Sequence, residues 1–130
     1  IGHGYTYSGH PVGCAAALAC IAETKRLDVA SNAAARGAEL QAGLQVLKEK
    51  HTVVGDARGV GLMGCLELVS DRESKTPADK DVANTIYETA YADGVIVRIS
   101  GNNLIISPPL IITSSDVQRI LGALDNALTQ

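Results

Sequence analysis

Residues 12–21, VGCAAALACI, carry no charge and no strongly hydrogen-bonding side chain on any side of a helix. Pro11 can open a helix from its first turn and the run is rich in helix formers, so a long helix is expected from Val12 through the following AETKRLD. A surface helix normally buries one stripe, whereas one that is apolar all round needs cover on every side. A chain of 130 residues builds one core and buries ~65 to 70% of its unfolded surface, which leaves little such cover. The helix is therefore expected to meet a larger body. The only Met is Met63, so translation did not begin at Ile1, and nothing at the start reads as a signal or transit peptide. A piece of something longer is expected.

Composition removes several classes of function. Eleven Lys and Arg against fourteen Asp and Glu give a net charge of −3 with no basic block, which argues against nucleic-acid binding. The 46% apolar content is too high for a disordered chain, yet it is interrupted too evenly for a membrane span of about 18 residues. With no Phe and no Trp, the core must be aliphatic. Cys14, Cys20 and Cys65 are odd in number and form no CxxC pair, and no Asn-x-Ser/Thr sequon is present. A soluble protein of the reducing cytoplasm is expected.

Periodicity sketches the remaining elements. Ser31 or Asn32 can cap a second helix with Leu40, Leu44 and Leu47 on one face, ending near Lys50. Thr52 to Arg58 and Leu62 to Val69 read as two strands around a Gly-containing turn. Thr76 and Pro77 suit the N-cap and N1 positions of a third helix that Gly94 closes. Val95 to Ile99 and Leu104 to Ser107 form a second hairpin around Gly101, Asn102 and Asn103. Thr113 with Asp116 three residues on is a capping-box signature for a last helix. The fold class is α+β, a small, mostly antiparallel sheet covered by helices on one face. Segment 70–78 is the expected exposed loop.

Gly59, Gly61 and Gly64 spell GxGxxG, but the chain continues as a strand where a dinucleotide fingerprint needs a helix, so a hairpin turn is expected. His3, His10 and Cys14 lack metal-site spacing, and no Ser-His-Asp or Cys-His set can be assembled. Two features invite a function. The Gly-rich loop 1–11 offers backbone N–H groups and the hydroxyls of Tyr5, Thr6, Tyr7 and Ser8 just before a helix, which suits an anion such as a phosphate and equally suits a polar linker. Arg98 is the one cation inside a strand pattern; pattern alone favours solvent over a role gripping a carboxylate.

HGYTYSGHPVGCAAAL (3–18), VVGDARGVGLMGCLELV (53–69) and GVIVRISGNNLIISPPLIIT (94–113) resemble, in order and spacing, the C-terminal part of class III pyridoxal-phosphate-dependent aminotransferases. The match is closest to the branch acting on ω-amino acids and pyruvate. The resemblance implies the small C-terminal domain of a fold-type I enzyme, with residues 1–30 as loop and connector helix and 31–130 as the small domain. It implies that Thr6 contacts the cofactor phosphate of a dimer partner with Tyr5 beside it, and that Arg98 binds the acceptor's carboxylate and can swing away for substrates lacking one, reversing the solvent preference. It further implies a homodimer or tetramer, an amine donor with pyruvate, and a Schiff-base lysine upstream that none of Lys25, Lys48, Lys50, Lys75 or Lys80 matches. The chain alone is then expected to be inactive. A 4-aminobutyrate or acetylornithine enzyme is the nearest rival, and a non-catalytic binding or assembly module of the same fold is the alternative from another class.

Overall fold

The computed structural model describes residues 2–129. Among them the elements run α1 (Pro11–Arg26), α2 (Val29–Lys50), β1 (Val54–Val60), β2 (Met63–Asp71), β3 (Thr76–Pro77), α3 (Lys80–Ala92), β4 (Arg98–Ser100), β5 (Asn103–Ile106) and α4 (Ser114–Leu128). The strands pair antiparallel in the order β1-β2-β5-β4, and β3 adds to β2, so the fold is α+β with one strand more than two hairpins supply.

Alternation along the strands separates two faces. Ala57, Leu66, Leu104 and Ile99 stand opposite one another across the four main strands and face inward, the first three buried and the last half-buried. Helix α2 lays Leu40, Leu44 and Leu47 over this face, and α3 and α4 add Ile86, Ala90, Val117 and Leu124 to the same core. Close approach is built in at two glycines. A Cβ on Gly64 would lie 2.6 Å from Leu44 Cδ1, and one on Gly37 would lie 2.5 Å from the backbone of Gly61. In both hairpins the positive φ falls only on the first turn residue, Gly61 at 55° and Gly101 at 62°, which is the pattern of a type II′ turn. The GxGxxG run is thus a hairpin.

The capping box is present: the Thr113 hydroxyl accepts from the Asp116 N–H at 3.2 Å, and the Asp116 carboxylate accepts from the Thr113 N–H at 3.0 Å. Such a cap contributes about 1 kcal/mol. Gly94, at φ 80°, follows the Asp93 cap of α3 as expected.

The strands of both hairpins are shifted by one or two residues from the sequence reading, and three other boundaries differ for a specific reason. Helix α2 is capped by Asp28 in the left-handed region and starts at Val29, not after Ser31 or Asn32. The Asn32 side chain is occupied elsewhere, donating to the carbonyls of Leu110 and Ile112 at 2.8 and 2.9 Å. Thr76 and Pro77 do not open α3; they pair with β2 as β3, and the helix begins at Lys80 behind Asp79. Pro is tolerated there because a short edge strand leaves its missing N–H unneeded. The first strand of the second hairpin enters the ladder only at Arg98, because the Val95 N–H is taken by the Ala90 carbonyl.

Helices α2 and α4 are also joined by charge. Asp125 lies 2.7 Å from both Lys50 Nζ and His51 Nε2, and Lys50 foremost, with His51 second, holds its carboxyl below the ordinary carboxylate range. A depressed folded value stabilises the fold above the unfolded value of ~3.9 and is lost as pH falls through the folded value. Asp125→Asn is therefore expected to lower the thermal midpoint at pH 7, with the gap to the parent closing as pH is taken below ~3.9. A gap that persists undiminished in acid would assign the effect to packing instead.

Candidate functional site

The N-terminal loop closes on itself at one turn. The Tyr5 N–H donates to Ser8 Oγ and the Ser8 N–H donates to the Tyr5 carbonyl, both at 2.9 Å, which puts Thr6 and Tyr7 at the apex. Neither apex amide nor the Thr6 hydroxyl has a hydrogen-bond partner among the described residues. Gly9, at φ 73°, then turns the chain into α1, whose N-cap His10 supplies no side-chain cap bond. Open N–H and O–H donors just ahead of a helix N-terminus match the acceptor-only oxygens of a phosphate. The residues present therefore fit the phosphate end of the cofactor that the resemblance implies. His3 and His10 lie against the rings of Tyr5 and Tyr7, and among the described residues no group of three His, Cys, Asp or Glu could hold a metal.

No residue of α1 is buried, and Val12 and Leu18 are about 70% exposed. Cys14 and Cys20 are exposed on it too. Loop and helix thus present an unscreened surface, as the all-round apolarity predicts.

Arg98 stands on the opposite face of the sheet from the core. Arg58, Cys65, Ile105 and Arg98 form one cross-strand row on that outer face, and Asp56, Glu67, Asn103 and Ser100 form the next. The two guanidinium groups of the first row differ in their partners. Arg58 pairs with Glu67 at 2.6 Å and Asp56 at 3.2 Å, and those contacts hold its pKa above the ordinary value. Arg98 is exposed and has neither an ion pair nor a side-chain hydrogen bond among the described residues. A free guanidinium on a strand is a fork for a planar carboxylate. Beside it, the lead-in to β4, the Pro108–Pro109 loop and α4 enclose an open groove of about 490 Å³ that includes Ile96, Ile111 and Arg119 but not Arg98.

Among the described residues no hydrogen bond joins the Tyr5–Thr6 turn to Arg98. The sequence reading missed Arg58 and Asn103, which are joined at 2.9 Å. Their signal was the alternation of Asp56 and Arg58 with apolar neighbours on β1, matched by Cys65 and Glu67 on β2.

The sequence matches the family described as aminotransferase class-III over residues 1–128. It is 39% identical to the uncharacterized aminotransferase y4uB of Sinorhizobium fredii, over 97% of this chain and 28% of that protein. It is 38% identical to the putrescine–pyruvate aminotransferase of Pseudomonas aeruginosa, over 98% of this chain and 28% of that protein. The fold superposes with a TM-score of 0.92 and 45% identity on a PLP-bound amine transaminase from an uncultivated Pseudomonas species, covering 99% of this chain and 30% of that one. The chain spans under a third of the length of these relatives. With residues 1–128 matched by the family and the fold superposing on a transaminase over 99% of its length, this chain belongs to the class-III aminotransferase family.

Proposed function

We propose that the chain is the C-terminal portion of a pyridoxal-phosphate-dependent transaminase that moves an amino group from an amine or ω-amino acid to pyruvate. The observation that carries this is the unpaired guanidinium of Arg98 on the outer sheet face of a class-III aminotransferase chain. A relative named for putrescine and pyruvate supports the substrate pair. Pyridoxal phosphate supplies the aldehyde that takes up the amino group and the electron-poor ring that eases proton removal.

The chain's own residues bind and orient. Thr6 offers its hydroxyl and N–H to the phosphate, with Tyr5 holding the turn through Ser8. Arg98 grips the pyruvate carboxylate and fixes which end of the acceptor faces the reacting carbon. Residues 1–30 serve as loop and connector helix and 31–130 as the small domain, although α2 itself begins at Val29. The loop serves a second copy's site in a homodimer or tetramer, which accords with the loop and Arg98 being unlinked within one chain. Three free cysteines suit the reducing cytoplasm, and no helix of the described residues is long and apolar enough to cross a membrane.

The test is a donor panel on the full-length enzyme with pyruvate, run beside this chain alone. Pyruvate-dependent deamination of amines or ω-amino acids by the full-length enzyme, and none by the chain alone, is expected. Turnover with 2-oxoglutarate in place of pyruvate would favour the 4-aminobutyrate or acetylornithine reading. Activity from residues 1–130 alone would overturn the division of labour, since covalent chemistry needs a positioned lysine.

A further inference from the structure

Arg98 stands near the end of a short hairpin, and what fixes that hairpin is not its own three-residue strand. Helix α3 lies against β4, β5 pairs with β2 from Asn103 to Ile106, and two asparagine side chains add to the hold on the tip, Ser100 to Asn103. Asn102 meets Leu68 of β2 twice: its carbonyl accepts from the Leu68 N–H at 2.8 Å, and its side-chain amide donates to the Leu68 carbonyl at 2.8 Å. Asn103 reaches both ways along the outer face. Its Oδ1 accepts from Arg58 Nη2 at 2.9 Å and from Cys65 Sγ at 3.3 Å, while its Nδ2 donates to the Ser100 carbonyl and to Asn102 Oδ1, each at 3.2 Å.

One amide thus ties β4 to β1 and β2. Arg58 is itself anchored by Glu67 and Asp56, so the chain of contacts runs from two fixed carboxylates through Arg58 and Asn103 to the Ser100 carbonyl, two residues from Arg98. The same carboxylates keep Arg58 from competing with Arg98 for an incoming anion.

We infer that Asn103 is a positioning residue for acceptor binding: it holds the β4–β5 hairpin so that the backbone from which the Arg98 side chain reaches the carboxylate stays in place. This rests on the proposed role of Arg98 as the carboxylate grip. A fork that must meet two oxygens loses more from a small displacement than a point charge does. The consequence falls on carboxylate binding, not on the chemistry at the reacting carbon.

The test uses the full-length holoenzyme with one amine donor and two acceptors, pyruvate and a straight-chain aldehyde that has no carboxylate. Asn103→Ala is expected to raise KM for pyruvate roughly 3- to 10-fold while kcat stays within about twofold and KM for the aldehyde is unchanged. Asn103→Leu, which keeps the volume while removing all four contacts, should behave alike and serves if the alanine variant does not fold. Adding either change to Arg98→Ala should raise KM for pyruvate no further. A general structural role would depress turnover with both acceptors equally, and that result overturns the inference. If Arg98→Ala raises KM for pyruvate and Asn103→Ala does not, the positioning inference fails and the carboxylate grip survives. If Arg98→Ala itself leaves pyruvate kinetics unchanged, both fall.

Discussion

In the full-length enzyme, Arg98→Ala is expected to lower kcat/KM for pyruvate roughly 10- to 100-fold, because a charge-assisted hydrogen bond contributes ~1.5 to 3 kcal/mol. The guanidinium is exposed and without a partner in the chain, so its removal leaves no buried group unsatisfied and no ion pair broken. The loss should therefore appear in acceptor binding and not in folding, with the thermal midpoint nearly unmoved. An aldehyde acceptor, having no carboxylate, should be turned over as before. Steady-state kinetics with both acceptors decide the matter: an equal loss on each would mean that Arg98 shapes the site without gripping the substrate. Arg98→Lys should recover only part of the loss, since an ammonium is a point charge where the guanidinium is a planar fork.

The second large effect lies in the core. Leu44 has no exposed surface and fits its Cδ1 into the space that Gly64 leaves by lacking a Cβ. Leu44→Ala is expected to cost about 2 to 5 kcal/mol, because helix and strand backbones on either side cannot collapse into the vacated space. The gain in helix propensity from Leu to Ala is only a few tenths of a kcal/mol, so packing decides the sign. Hydrogen exchange at the amides of Leu66 and Leu104 measures the opening of this region within the larger enzyme, and their protection should drop in step. Unchanged protection would show that α2 is not what holds the sheet's inner face closed.

Much of this was legible in the sequence where one local rule governs. The capping box of α4, Gly94 after α3, the Gly61 turn and the α2 leucine face each follow from residues a few positions apart. The misplacements come from contacts between distant segments. Asn32 looked like a cap because caps are local, yet its amide is used 78 and 80 residues away at Leu110 and Ile112. Arg72 looked like part of a free loop, but its guanidinium donates to the carbonyls of Lys48, His51 and Thr52 and so closes the C-terminal end of α2. Thr76–Pro77 carries a helix-start signal that pairing with β2 overrides. At the site, Arg98 could be singled out as a cation among apolar neighbours, but strand alternation could not reveal that Arg58 in the same row is already neutralised. The pairing depends on the register of β1 against β2, and the shared row on the register of all four main strands.

Arg98 shares its row with Cys65 and Ile105, half-buried side chains on the far side of the sheet from the leucine core. Neither lies in that core, so exchanges there disturb the fold less than exchanges among the buried leucines. Selection can therefore resculpt the neighbourhood of the guanidinium almost independently of the architecture beneath it. A substitution beside the guanidinium can change what it meets without the scaffold first becoming sturdier.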